Sequence, residues 1–339
     1  MDKTIRRILI VRTDRIGDVL LTTPVAAALR AHFPQARIGW WVRSYTAPLL
    51  ENNPDADEVI VDRAEPVGEI IARLRKGGYD AAVVAYPRFR VAWALYRAGI
   101  PVRIGPASKW YSLFFNRRIW QHRSEGAKHE ADYNLELLAP LGVPFRRYST
   151  RFYLTADERA RAKKNLEGYR ISFQKPVVIL HPGSGGSSGR WPLSHFMELG
   201  DLLQEMGCDV IVTGGPGEDY QYAMIDNMRR SPVFIAAGSL SLRELAAIFS
   251  WANLVVSNST GPLHIAVALN VPTVSVFSSI TTCHPRRWGP YPDFVEGGNG
   301  HKVILEPDIK MPRTDLSAVA VENVLAVCRQ QLKTAAATN

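Results

Sequence analysis

Cysteine is scarce in this chain, with three in 339 residues at Cys208, Cys283 and Cys328. So small, odd and scattered a set gives neither a disulfide framework nor the paired spacing of a zinc site. Long apolar runs are also missing. No stretch approaches the roughly 20 residues that a bilayer-spanning helix requires, and MDKTIRRILIVR leads straight into a strand-like run without an apolar leader. These absences predict a cytoplasmic protein with ordinary thiols. A Walker lysine and a G-x-G-x-x-G in register are lacking too, which weakens both common nucleotide-site readings. The opening loop has no close run of glycines, which disfavours a dehydrogenase. Only the tail TAAATN has the composition of a disordered segment.

Acidic residues are outnumbered. Asp and Glu total 32 against 41 Lys and Arg, and the resulting net charge of +9 favours an anionic partner. The excess is concentrated: Arg88, Arg90, Arg97, Arg103, Lys109, Arg117, Arg118, Arg123 and Lys128 alternate with Phe89, Trp93, Trp110, Tyr111, Phe114, Phe115 and Trp120. Such a mixture suits stacked bases or an anionic lipid surface, and it equally suits a core segment whose long basic side chains reach out to water.

With 46% hydrophobic residues the chain can bury a sizeable core, and its length favours two domains. Strand-like and helix-like segments alternate, the pattern of an α/β protein with parallel sheets. Strands are expected near 7–12, 36–42, 58–61, 80–85 and 101–104. HEADYNLELLAPLG reads as a helix ending at Gly142, followed by a short linking strand and a charged helix at 156–168. A second series begins at 177–181, continues with strands near 209–213, 233–235, 254–257 and 273–276, and ends in a helix at about 315–331. Two series that each open on a strand and a glycine-containing turn predict two Rossmann-like domains with parallel sheets facing across a cleft. The expected divisions are 1–168, 169–312, and a C-terminal helix with a flexible tail at 313–339.

Four segments could carry chemistry. In ILIVRTDRIGDVLLTTPVAAAL a buried strand runs through a turn at Gly17 to Asp18 at a helix start. There Asp18 serves either as a helix cap or as an acid at the ligand-binding end of a strand. HPGSGGSSGRW offers Gly183, Gly185, Gly186 and Gly189 with Ser184, Ser187, Ser188 and Arg190, a set of donors suited to phosphate. VVSNSTGPLHIAVAL turns through Asn258, Ser259, Thr260 and Gly261 into a helix carrying His264, a second anion site at a helix N-terminus. GGPGEDY places Gly215 for close backbone approach, with Glu218 in a first helical turn where it favours the dipole or meets ribose hydroxyls. Asp55 and Asp57 imitate a D-x-D metal motif but precede a strand, so they read as a solvated turn.

Together RTDRIGDVLLTTP, KHEADYNLELLAPLG, HPGSGGSSGRWP, GGPGE and SNSTGPLHIAVAL, in this order, resemble glycosyltransferase family 9, the bacterial lipopolysaccharide heptosyltransferases, over nearly the whole chain. The resemblance implies a GT-B fold, with the acceptor held by the first domain and a nucleotide sugar by the second. It implies inverting, metal-independent transfer of heptose from ADP-heptose to the lipid A inner core, with no cofactor beyond that donor substrate. Asp18 corresponds to the family's proposed general base. Ser184, Ser187, Ser188, Arg190, Gly215, Glu218, Ser259, Thr260, Gly261 and His264 become candidate donor-binding residues, and Arg15, Gly17, Arg88, Lys109, Arg117, Arg118 and Arg123 candidate acceptor-binding residues. The basic aromatic stretch then reads as a surface for phosphorylated lipid on the inner face of the inner membrane, and no nucleic acid is expected.

Two departures from the family pattern bear on the donor. Arg190 stands where some members have Lys, exchanging a point charge for a planar fork. Asn258 and Ser259 stand where several members have an acid before the T-G or S-G pair. Another nucleotide-sugar donor on the same fold, or a noncatalytic nucleotide-sugar or glycolipid-binding protein, is therefore kept as an alternative.

Overall fold

The computed structural model describes residues 5–169, 171–184, 189–215, 217–218, 234–238, 240–291, 300–306 and 315–338. Two compact units divide the chain, Met1–Tyr153 and Leu154–Asn339.

In the first unit the strands are β1 (Arg7–Val11), β2 (Arg37–Arg43), β3 (Glu58–Asp62), β4 (Ala81–Val84), β5 (Val102–Pro106) and β6 (Arg117–Ile119). They form a parallel sheet in the order β3-β2-β1-β4-β5-β6. The apolar runs explain who sits in the middle: Ile8–Val11 of β1 and all of β4 are buried, as expected for strands covered on both faces. Helices α1 (Ile16–Leu20), α2 (Thr23–His32), α3 (Val67–Gly77), α4 (Phe89–Ala98) and α5 (Glu130–Glu136) accompany the sheet. Gly78 and Gly99 end α3 and α4 in the left-handed conformation that glycine adopts without strain. The short, basic β6 was not expected; its RRI sequence is mostly exposed at the sheet edge and carries little apolar signal.

The second unit repeats the plan. Its elements are α6 (Ala156–Gly168), β7 (Val177–His181), α7 (Leu193–Glu205), β8 (Asp209–Gly214), β9 (Phe234–Ala237), α8 (Leu242–Phe249), β10 (Leu254–Asn258), α9 (Gly261–Ala268), β11 (Thr273–Phe277), α10 (Pro285–Trp288), β12 (His301–Leu305) and α11 (Val321–Thr338). The parallel order β12-β11-β10-β7-β8-β9 is the 3-2-1-4-5-6 order of the first unit counted from its own first strand. Each sheet therefore has a switch point, between β1 and β4 and between β7 and β10, where ligands bind at strand ends.

Three expectations are corrected. The segment 143–155 forms no strand. The division falls after Tyr153 rather than 168 because α6 belongs to the second unit: its Glu158 accepts hydrogen bonds from Arg243 Nε and Nη2 at 2.5 and 2.7 Å, and Trp251 Nε1 donates to the Arg159 carbonyl at 2.8 Å. The C-terminal helix starts at Val321 and is part of this unit's core, where Val324, Leu325 and Cys328 join Trp191, Phe196, Leu199 and Leu203. Burial pushes the Cys328 thiol up to about 12, so it stays protonated as an inert core group.

Glu158 also closes a capping box with Thr155, and the Arg243 fork with these bonds holds its carboxyl down at about 2 against an ordinary 4.5. A lowered folded-state value stabilises above the ordinary pKa and is lost as pH falls through the folded one. Glu158→Gln should therefore cost about 1 kcal/mol at pH 7, and in urea unfolding that difference should shrink between pH 4.5 and 2.

Candidate active site

At the end of β1 the chain passes through Arg12, Thr13, Asp14 and Arg15 before α1 begins, and Arg12 is turned inward with 2% of its surface exposed. Its planar guanidinium is divided among three carboxylates. Nε donates to Asp14 Oδ1 at 2.8 Å, Nη2 donates to Asp18 Oδ1, and Nη1 donates to Glu130 Oε1 at 3.2 Å and Asn134 Oδ1 at 3.3 Å. Arg123 reaches the same place from the other side, donating from Nη1 to Glu130 at 2.6 Å and to Asn134 Oδ1 at 3.1 Å. Asn134 Nδ2 donates to the Leu21 carbonyl and to Thr22 Oγ1, both at 3.1 Å, and Thr22 Oγ1 donates to the Asp18 carbonyl at 2.8 Å. The break between α1 and α2 is thereby tied to α5.

Electrostatics follow from this packing. Burial raises the pKa of Asp18, Arg12 opposes the rise, and Glu130 adds to it. Asp14 is raised to about 6, chiefly by burial, against the pull of Arg12 and with a push from Asp18. Burial disfavours charge on Arg12 itself, yet Asp14, Asp18 and Glu130 together hold its pKa above the ordinary value. A carboxyl group with raised proton affinity, in the first helical turn after a central strand, is suited to accept a proton. The capping alternative for Asp18 is not what the structure contains: Arg15 occupies the N-cap position, Asp18 lies within the first turn, and its side chain is held by Arg12.

The predicted acceptor residues are spread over several elements of the first unit. Arg15 and Gly17 adjoin Asp18, and Gly17 is buried. Arg123 also takes part in the Arg12 network, its guanidinium donating to Gln121, Glu130 and Asn134. Arg88 stacks on Tyr86 at 5.0 Å, and Lys109 precedes the 3₁₀ turn Trp110–Phe114. Arg117 and Arg118 lie exposed on β6, three strand spacings or about 14 Å from β1. Arg12, Asp14, Glu130 and Asn134 were not anticipated. Their signals were an arginine directly after a buried strand, and a Glu and Asn four apart on one face of α5.

In the second unit the loop after β7 is clasped by Asn258. Its Oδ1 accepts from the Trp191 N–H and its Nδ2 donates to the Pro182 carbonyl, both at 2.9 Å, so one buried amide joins the two ends of the glycine-serine loop. Ser187 and Ser188 lie outside the described residues. Arg190 is exposed and donates from Nη2 to the Ser184 carbonyl at 2.7 Å, and the Ser184 hydroxyl is buried with no hydrogen-bond partner among the described residues. Thr260 is the N-cap of α9 without a side-chain cap bond, and Gly261 and Pro262 open the helix, leaving that N-terminus undecorated by its own cap. His264 is buried within α9, and Ser259 is half-buried. The Glu218 carboxylate accepts from the Gly215 N–H at 2.7 Å and fills the space that a Cβ on Gly183 would need. His181 ends β7 beneath this loop, pairs with Thr213 at 2.9 Å, and is driven down to about 4 by burial, so it is neutral near pH 7.

The chain and its fold have counterparts among known proteins. The model of glycosyltransferase family 9 (heptosyltransferase) matches residues 67–302. A Haemophilus influenzae protein provisionally named a glycosyltransferase is 31% identical over 336 residues, covering 94% of this chain and 95% of its own. Escherichia coli lipopolysaccharide heptosyltransferase 3 is 26% identical over 337 residues, 93% of this chain and 95% of that protein. Among solved structures, a family 9 glycosyltransferase from Veillonella parvula aligns with TM-score 0.87 at 21% identity, covering 98% of this chain and 99% of that one. Escherichia coli heptosyltransferase WaaC with ADP aligns with TM-score 0.74 at 22% identity, covering 96% and 99%. The chain belongs to glycosyltransferase family 9, and its two Rossmann-like units have the GT-B architecture of these structures.

Removing Arg12 would leave Asp14 and Asp18 without the cation that holds them and Glu130 with Arg123 alone. Arg12→Gln should lower unfolding free energy by about 3–5 kcal/mol at pH 7, measured by urea titration. Because these acids bind protons more readily once unpaired, the deficit should shrink as pH falls through about 6, the value to which Asp14 is already raised.

Proposed function

We propose that this glycosyltransferase moves heptose from ADP-heptose to a phosphorylated, lipid-anchored lipopolysaccharide core acceptor, with inversion and without a metal. The observation that carries the reading is Asp18 in the first turn of α1, just beyond the end of β1, where the Arg12 contact holds its carboxyl group and burial raises its proton affinity. The names of the relatives support the transferred sugar, and the solved complexes of WaaC with ADP and with ADP-2-deoxy-2-fluoro heptose support the donor.

In the proposed step an acceptor hydroxyl oxygen forms a bond to the anomeric carbon while Asp18 takes its proton. The bond from that carbon to the diphosphate oxygen breaks, and ADP leaves with the electron pair. Charge gathering on the diphosphate is met by Arg190 and the N–H groups at the start of α9, fixed donors of the kind that stabilise such transition states. No acid occupies position 258 or 259, so sugar hydroxyls would be bound there by neutral groups.

The basic aromatic stretch supports a lipid-bound acceptor. Phe89, Trp93 and Tyr96 of α4 form continuous ring contacts with Trp110 and Phe114 at 5.3–6.4 Å between centroids. Trp110 is 69% and Leu113 73% exposed, with Arg97 and Arg103 stacked on Trp93 and Tyr96. Aromatic side chains ringed by cations match an anionic headgroup layer. Among the described residues no helix is long and apolar enough to cross a membrane, and we place the enzyme at the cytoplasmic face of the inner membrane.

Transfer from ADP-heptose to truncated lipopolysaccharide is the direct assay. Asp18→Asn should reduce kcat by about 10²–10⁴-fold while ADP binding persists; wild-type turnover by the variant would remove Asp18 as base. A divalent chelator should leave the rate unchanged, and turnover of a different nucleotide sugar in preference to ADP-heptose would move the chain to the alternative donor.

The surface reading has its own check. Trp110→Ala with Leu113→Ala should weaken cosedimentation with phosphatidylglycerol vesicles, yet leave transfer to a water-soluble acceptor intact. Equal vesicle binding by both proteins would remove this face from the membrane.

A further inference from the structure

Asp14 has no place in the step above, yet its carboxylate is bound to the same guanidinium as Asp18. A guanidinium is planar and its five N–H groups point in fixed directions, so holding any two edges sets the third. In Arg12 the Nε edge is held by Asp14 and Nη1 by Glu130 and Asn134, which leaves the direction of Nη2, and hence the seat of Asp18, determined. The turn bearing Asp14 is itself pinned, because the Tyr45 hydroxyl donates to its carbonyl at 2.6 Å.

We infer that Asp14 is a positioning residue for transfer: bound at the Nε edge, it orients Arg12 and takes part of its charge, so that Asp18 keeps the proton affinity a base requires. This rests on the reading of Asp18 as the base. The charges around the pair are countable. Arg12 at the β1 exit and Arg123 face Asp14, Asp18 and Glu130, so two guanidiniums serve three carboxylates. Arg15 precedes Asp18 and lowers its pKa, Arg43 and Tyr45 approach from the loop after β2, and the Tyr86 ring lies 5.8 Å from Arg12. With Asp14 ionised, Asp18 receives only a share of the Arg12 charge; with Asp14 neutral, that charge falls more fully on Asp18 and makes it a weaker base. The rise of Asp14 to about 6 places this exchange near neutrality.

The test is the pH profile of ADP-heptose transfer for wild type, Asp14→Asn, Asp14→Glu and Asp18→Asn. Asp14→Asn should move the acid limb down by about one pH unit and lower the plateau kcat several-fold with KM unchanged, and Asp14→Glu should bring the limb back toward wild type. Titration of the Asp18 carboxyl carbon by ¹³C NMR should show the same displacement without any substrate. If Asp14→Asn fails to fold, Asp14→Ser removes the same charge and is read by the same limb and the same titration. An unmoved limb or an unmoved Asp18 titration, beside an inactive Asp18→Asn, overturns the role of Asp14 and leaves the base in place. Wild-type transfer by Asp18→Asn overturns both.

Discussion

A buried arginine shared among three carboxylates is the constraint on which the first unit depends. Arg12 cannot leave its charge uncompensated at 2% exposure, and Asp14, Asp18 and Glu130 supply the compensation, Glu130 also accepting from Arg123. The network spans the β1 exit, α1, Arg123 and α5, and joins them by charge and hydrogen bonds. A buried ion network stabilises little beyond what an apolar core of equal volume would. What it provides is a carboxyl group held in one orientation, with Arg12 favouring its charged form and burial raising its proton affinity. Those two influences oppose each other, and dividing one guanidinium among several acids sets their balance.

The second unit meets the equivalent demand with a neutral group. Beside its switch point Asn258 ends β10, whereas Arg12 in the first unit follows β1, and the Asn258 amide joins Pro182 to Trp191 across the loop that follows β7. On the proposed reading this loop binds the donor diphosphate, and an uncharged clasp suits that role because a buried acid there would repel the ligand. His181 beneath the loop is kept neutral by burial, and Glu218 accepts from the Gly215 N–H. The same 3-2-1-4-5-6 sheet thus carries a charged network beside its switch point in one unit and a neutral amide clasp in the other, on different strands.

Much of this was legible in the sequence, for physical reasons. Fully buried parallel strands are continuous β-branched runs, so ILIV, VVIL and LVVS declare themselves, and glycine after each marks the ligand end. Weak strands at sheet edges, β6 with its RRI and the half-buried β12, lack that signal. The unit boundary was missed because a surface helix such as α6 carries its docking information in two or three side chains, among them Glu158, which pairs with a residue 85 positions away. Asp18 was found by its place in a motif, and its partners were not. Arg12, Asp14 and Glu130 meet only after folding, across up to 118 residues of sequence, and no local spacing encodes that encounter.

The basic aromatic stretch shows the same limit from the other direction, since one run of sequence serves two purposes. Phe115 is buried and fills the space beside Gly105, where any Cβ would meet its ring, so part of the run is ordinary core. Trp110 and Leu113, five and two residues earlier, are left in solvent by the 3₁₀ turn they occupy. A 3₁₀ turn repeats every three residues, so side chains three apart, Trp110 and Leu113, share the outward face while Ser112 is buried beneath. Exposed apolar groups flanked by stacked cations, Arg97 and Arg103, are the chemistry on which the proposed contact with an anionic lipid surface rests.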